Sequence, residues 1–160
     1  MKQTVLTIVL AGTLAAPVRA EPVLTLEVDG TQHVFVPQME GARTGFTRFL
    51  SVDAVSVEGA DGSARLVLEL AFPPASRTGD APHDARISFR PNGWQDYWVS
   101  PSDMADGAVA IDHLDLSGAF PRIAGHFAVP LCFARSPIHG PDPSRCLPAS
   151  GHFDTLLVQD

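Results

Sequence analysis

The side chains of this chain best suited to chemistry near neutral pH are its six histidines: His33, His83, His113, His126, His139 and His152. Two of them sit in matching tripeptides, Gly125-His126-Phe127 and Gly151-His152-Phe153. The chain has two cysteines, Cys132 and Cys146, and in an oxidising compartment such a pair is expected to form a disulfide; two free thiols or a thiolate metal site are the alternatives. If the cysteines face each other across an antiparallel strand pair, the same register sets His126 opposite His152. It also sets Gly125 opposite Phe153 and Phe127 opposite Gly151, so that each ring covers a bare glycine. A bulge between Phe133 and Arg145 would shift the register and send the two histidines to opposite faces. Facing imidazoles suit zinc or copper(II), with Asp154, two residues along the same strand face, and His113, on the preceding strand, as candidate further ligands. The plain alternative is two half-exposed histidines on a sheet surface.

Two other groups are candidates for binding a partner or small ligand. Trp94, Tyr97 and Trp98 follow a tight Pro91-Asn92-Gly93 turn. In a strand, Trp94 and Trp98 share one face and Tyr97 takes the other. Exposed aromatics beside loops stack on sugars or engage proteins; the plain alternative is that most of them are ordinary sandwich core, with at least one of Trp94 and Trp98 buried. The segment from Phe133 to Arg145 carries Arg135, His139 and three prolines (Pro137, Pro141, Pro143), with Ile138 near its tip. A stiff loop tied at its base loses little entropy on binding, and its alternative role is a structural staple. The sequence holds no Gly-x-Ser-x-Gly, His-Glu-x-x-His, Cys-x-x-Cys, phosphate loop or dinucleotide fingerprint. A hydrolytic site would have to be assembled in space from residues that no motif marks. Asp103, Asp106 and Asp112 lack the ligand ladder of a calcium loop and read as an acidic turn.

The elements that must position these residues are strands. Leu66, Leu68, Leu70 and Phe72 alternate with Arg65, Val67, Glu69 and Ala71, the period of a strand with one buried face. Comparable segments are 23–28, 32–36, 49–58, 85–90, 94–99, 108–116, 122–133 and 151–158. Asp29-Gly30 and Asp61-Gly62 mark hairpins. No stretch keeps a helical period over ten residues. The expected fold is all-β: an antiparallel β-sandwich of about eight or nine strands, with a closed barrel as the alternative.

The first 20 residues read as a cleaved secretory signal peptide. A basic start (Lys2) leads into an uncharged apolar run, and Val18 and Ala20 take the small-residue positions before a cut. That run is shorter than the ~20 apolar residues of a membrane span, and nothing downstream approaches one. Residues 21–160 then form a single β domain, periplasmic or secreted, with 9 arginines, no lysine and 18 acids. Such an acidic chain is a poor ligand for nucleic acid or anionic membranes. The expected function is an exported, non-enzymatic binding or interaction domain whose partner is a protein or small ligand. The alternatives are a periplasmic metal-binding protein using His126 and His152 with zinc or copper, and a small hydrolase.

Overall fold

The computed structural model describes residues 21–93, 95–105 and 107–159. The expected signal peptide at 1–20, Trp94 and Asp106 lie outside the described residues. Alternation builds the whole molecule. Leu66, Leu68, Leu70 and Phe72 all turn inward with at most 2% of their surface exposed, while Glu69 faces out. The strands are β1 (Val23–Val28), β2 (Thr31–Pro37), β3 (Gly45–Arg48), β4 (Asp53–Asp61), β5 (Ala64–Phe72) and β6 (Asp84–Arg90). They continue with β7 (Tyr97–Val99), β8 (Val109–Asp115), β9 (Arg122–Ala134), β10 (Cys146–Leu156) and β11 (Val158–Gln159). One short 3-10 turn, Glu40–Ala42, links β2 to β3, and no α-helix occurs among the described residues.

Eight strands close into a barrel in the order β4-β2-β1-β10-β9-β7-β6-β5, with β5 returning to β4. The sheet is antiparallel throughout apart from the short β3–β11 pairing. Closure depends on two long strands that share an edge between two short ones. β4 pairs with β5 along one edge; its other edge takes β3 at Asp53–Ser56 and β2 at Gly59–Ala60. β9 pairs with β10 along one edge and gives the other to β8 at Arg122–Phe127 and β7 at Cys132–Ala134. The β2–β4 and β6–β7 seams are two residue pairs long. Seams that short leave almost no trace in periodicity, which explains why the strand pattern alone suggests a sandwich.

The interior is one contiguous apolar cluster in which Phe35, Phe46, Phe72, Phe127 and Phe153 are fully buried. Each such side chain contributes about 1.5–3 kcal/mol by leaving water. Asp29 (φ 49°) and Gly30 (φ 71°) both adopt positive φ, as a two-residue hairpin turn matching the strand twist requires. Several boundaries differ from the sequence reading: β3 has no counterpart in it, and β7 covers only Tyr97–Val99 of the expected 94–99. Phe49 and Leu50 do not begin a strand: they form an exposed turn between β3 and β4, closed by Phe49 N–H donating to the Val52 carbonyl at 2.9 Å. β10 begins at Cys146 rather than Gly151, because its ladder with β9 runs on through the facing prolines Pro130 and Pro148.

The β9–β10 register is the one the cysteines imply. Cys132 faces Cys146 and forms the disulfide, and His126 faces His152. Gly125 lies under the Phe153 ring and Gly151 under the Phe127 ring. A Cβ at either glycine would run into that ring and a neighbouring carbonyl, from Ala110 and Thr25 respectively.

Candidate functional site

The proline pair fixes what kind of contact the histidines make. Facing residues in an antiparallel ladder alternate between hydrogen-bonded and non-hydrogen-bonded pairs. Pro130 and Pro148 have no N–H to exchange, so theirs is a non-hydrogen-bonded position. Counting along the ladder by twos, His126–His152 is another, the kind in which side chains stand closest. Consistently, the His152 N–H turns away from β9 and donates to Thr25 Oγ1 on β1 at 3.2 Å. The two imidazole centroids are 5.8 Å apart on the solvent face, with planes tilted by 43°.

The expected third ligands are not with them. Asp154 shares the strand face of His152, but its carboxylate is held by Arg122 through Nε–H to Oδ1 at 2.7 Å and Nη2–H to Oδ2 at 2.5 Å. His113 pairs with Ala124 rather than with either histidine. The carboxylate that does reach the pair is Asp112, which sequence reading had set aside as part of an acidic turn. A bulge in β8 between Ile111 and His113 takes Asp112 out of the ladder, and its Oδ2 lies 3.1 Å from His126 Nδ1. Among the described residues no group of three or more His, Cys, Asp or Glu side chains is arranged to hold a metal ion. The arrangement present is two adjacent imidazoles with a carboxylate orienting one of them.

The aromatic group divides as strand parity demands. Trp98 faces inward and packs partly buried against the core, edge-on to Phe133 at 5.7 Å. Tyr97 points outward yet is only 5% exposed, so it offers no surface for stacking. It forms a small second cluster with Val99 and Ala134, and its hydroxyl accepts a hydrogen bond from Arg86 Nη2 at 3.0 Å.

The same arginine reaches the loop between β9 and β10, where Nη2 also lies 3.4 Å from the Pro137 carbonyl. The loop is braced throughout. The disulfide ties its base, the Phe133 N–H donates to the Arg145 carbonyl at 2.9 Å, and the Asp142 N–H donates to the Phe133 carbonyl at 2.8 Å. The Arg145 guanidinium sits 3.9 Å over the Phe133 ring. Asp142 Oδ1 accepts from both the Ser144 hydroxyl (2.7 Å) and its N–H (3.0 Å). These bonds, the hydroxyl first, hold the Asp142 carboxyl below the usual aspartate value, and Arg145 and Arg135 add to the effect. At the apex Ile138 is 90% exposed.

Between this loop and the outer face of β6 and β7 runs a groove of about 400 Å³, lined by Asp84, Arg86, Ser100, Pro137, Ile138 and His139 among others. His139 therefore lines a concavity, while Arg135 stays exposed at the loop base. His139 Nδ1 shares a 2.6 Å hydrogen bond with Ser136 Oγ. That is the separation of a serine–histidine dyad, but it spans one exposed turn, and among the described residues no carboxylate orients the imidazole. Arg86 is the residue that sequence reading missed here. Nothing local marks it, since its role comes from the loop folding back across β6.

These features define an all-β barrel protein with a disulfide-tied loop standing over a groove. Comparison with protein-family models, with curated proteins and with solved structures gives no match.

Proposed function

We propose that this chain is an exported, non-enzymatic β-barrel binding domain that engages a protein partner through the disulfide-tied loop, with Ile138 as its anchor and the adjoining groove as the rest of the footprint. The leader-like pattern at residues 1–20 and the disulfide support a life in an oxidising compartment, periplasmic or secreted. One observation carries the reading. A large apolar side chain is held almost wholly in solvent at the tip of a loop braced by a covalent bond, four backbone or carboxylate contacts and a stacked arginine. Such rigidity leaves little entropy to lose on association, and a preformed apolar anchor suits a complementary socket. A photo-crosslinking residue at position 138, introduced in the cells that make the protein, is expected to yield one discrete adduct. The same probe at Leu50, an equally exposed apolar tip elsewhere on the barrel, is expected to yield none of it. No adduct at 138, or the same products from both positions, would contradict the proposal.

A second reading rests on the histidine pair. Metal-bound imidazoles commonly give their other ring nitrogen to a carboxylate, and Asp112 stands in that relation to His126 Nδ1, leaving Nε2 for a metal. Two imidazoles completed by solvent suit copper(II) ahead of zinc. Calorimetric titration with copper(II) separates the possibilities. Saturable binding that disappears in His126→Ala/His152→Ala supports this reading, and equal heats from both proteins rule it out.

A further inference from the structure

On the outer wall of the barrel, three of the chain's ten arginines converge. Arg43, Arg65 and Arg90 line a depression of about 620 Å³ together with Glu58, Ser63, Val67 and Gly93. The register shows how they meet. Arg65 on β5 stands directly opposite Arg90 on β6, and one step along the same pairing Val67 stands between Glu58 of β4 and Ser88 of β6. Like charges facing each other across strands oppose pairing, so this is a costly place for two arginines. Arg43 comes in from beyond the 3-10 turn and lies 3.5 Å from Glu58 Oε1.

The guanidiniums are also positioned. Arg65 Nη1 donates to the carbonyls of Gly62 (2.7 Å) and Ala64 (2.9 Å), which fixes the group on its own hairpin turn. The Arg90 guanidinium carbon lies 5.0 Å from the Tyr97 ring centroid, a stacking that orients its plane. The Gly93 N–H donates to the Ser63 carbonyl at 3.1 Å, joining the β4–β5 and β6–β7 turns into a wall at one end.

We infer that this depression is a binding site for a small organic dicarboxylate. Two guanidinium forks on adjacent strands each match a carboxylate in a bidentate manner. Val67 gives the carbon body of the ligand an apolar contact that an inorganic oxyanion cannot use. Glu58 offsets part of the positive charge and disfavours ligands of higher charge. The depression shares no lining residue with the groove beside the loop, although Tyr97, whose ring lies under Arg90, also bonds Arg86 of that groove. Succinate binding tests the site without the partner.

The test is calorimetry of the oxidised protein with succinate, inorganic phosphate and acetate at low ionic strength. Saturable succinate binding is expected, at least tenfold tighter than phosphate or acetate, and weakened at least tenfold in Arg65→Gln and in Arg90→Gln. Arg65→Lys/Arg90→Lys keeps the charge and loses the forks, and is expected to bind succinate at least fivefold more weakly than the parent. Arg65→Gln/Arg90→Gln is expected to lose succinate binding altogether, and its melting transition checks that it is folded, since it gives up the Arg65 carbonyl contacts and the Arg90–Tyr97 stacking along with the facing charges. Phosphate binding as tightly as succinate would overturn the dicarboxylate assignment. Absent succinate binding, or binding unchanged in the double Gln variant, would overturn the site itself.

Discussion

A methyl group added at Gly151 would meet the Thr25 carbonyl oxygen and the Phe127 ring, and one at Gly125 would meet the Ala110 carbonyl and the Phe153 ring. Backbone cannot withdraw from such a contact as the end of a flexible side chain can. Gly151→Ala is therefore expected to lower stability by about 1–3 kcal/mol through overpacking. Gly140→Ala, with open space around an ordinary backbone angle, should stay within about 0.5 kcal/mol of the parent. Urea unfolding of the two variants checks this, and equal midpoints would contradict the packing argument. This part of the molecule is legible in the sequence, because matching Gly-His-Phe tripeptides at equal distances from two cysteines specify the register by themselves. What surrounds the histidines is not. Asp154 and Asp112 exchange their expected parts because a bulge in β8 and a partner in Arg122 are tertiary facts.

The β9–β10 loop behaves as an element in its own right, although it has no regular secondary structure. Its disulfide closes a short ring, a constraint that contributes roughly 3 kcal/mol in chain-entropy terms. One of its further braces, the Asp142–Ser144 turn, is sensitive to acid. The Asp142 carboxyl is held below its ordinary value by Ser144, so the bracing is fully present above that ordinary value. It is lost as pH falls through the depressed one. Amide exchange across residues 136–145, corrected for the intrinsic pH dependence, is expected to show protection falling on acidification below the usual aspartate range. Asp142→Asn should flatten that dependence, and an unchanged profile in the variant would contradict the assignment. The sequence shows the prolines and the cysteines of this loop. It does not show that the loop folds back to meet Arg86 of β6, or that Tyr97, outward by strand parity, is covered by Arg86 and Arg90.

Over the whole molecule, alternation in β5 and β9 places the core residues, but closure of the barrel rests on pairs such as Val36 with Ala60 and Phe89 with Trp98. These are contacts between distant segments, two pairs per seam, and no local pattern encodes them. The same holds for the facing arginines at 65 and 90. Exposed apolar tips fall on different parts of the barrel: Ile138 on the braced loop, Phe49 and Leu50 on the β3–β4 turn, and Phe120 between β8 and β9. The account assigns partner binding to the first alone. The most direct measurement is the affinity of the captured partner for the parent protein, for Ile138→Ser and for Leu50→Ser. Loss of a buried anchor costs about 2 kcal/mol or more, so Ile138→Ser is expected to bind at least thirtyfold more weakly while Leu50→Ser binds like the parent. Undiminished binding by Ile138→Ser, or a loss confined to Leu50→Ser, would contradict it.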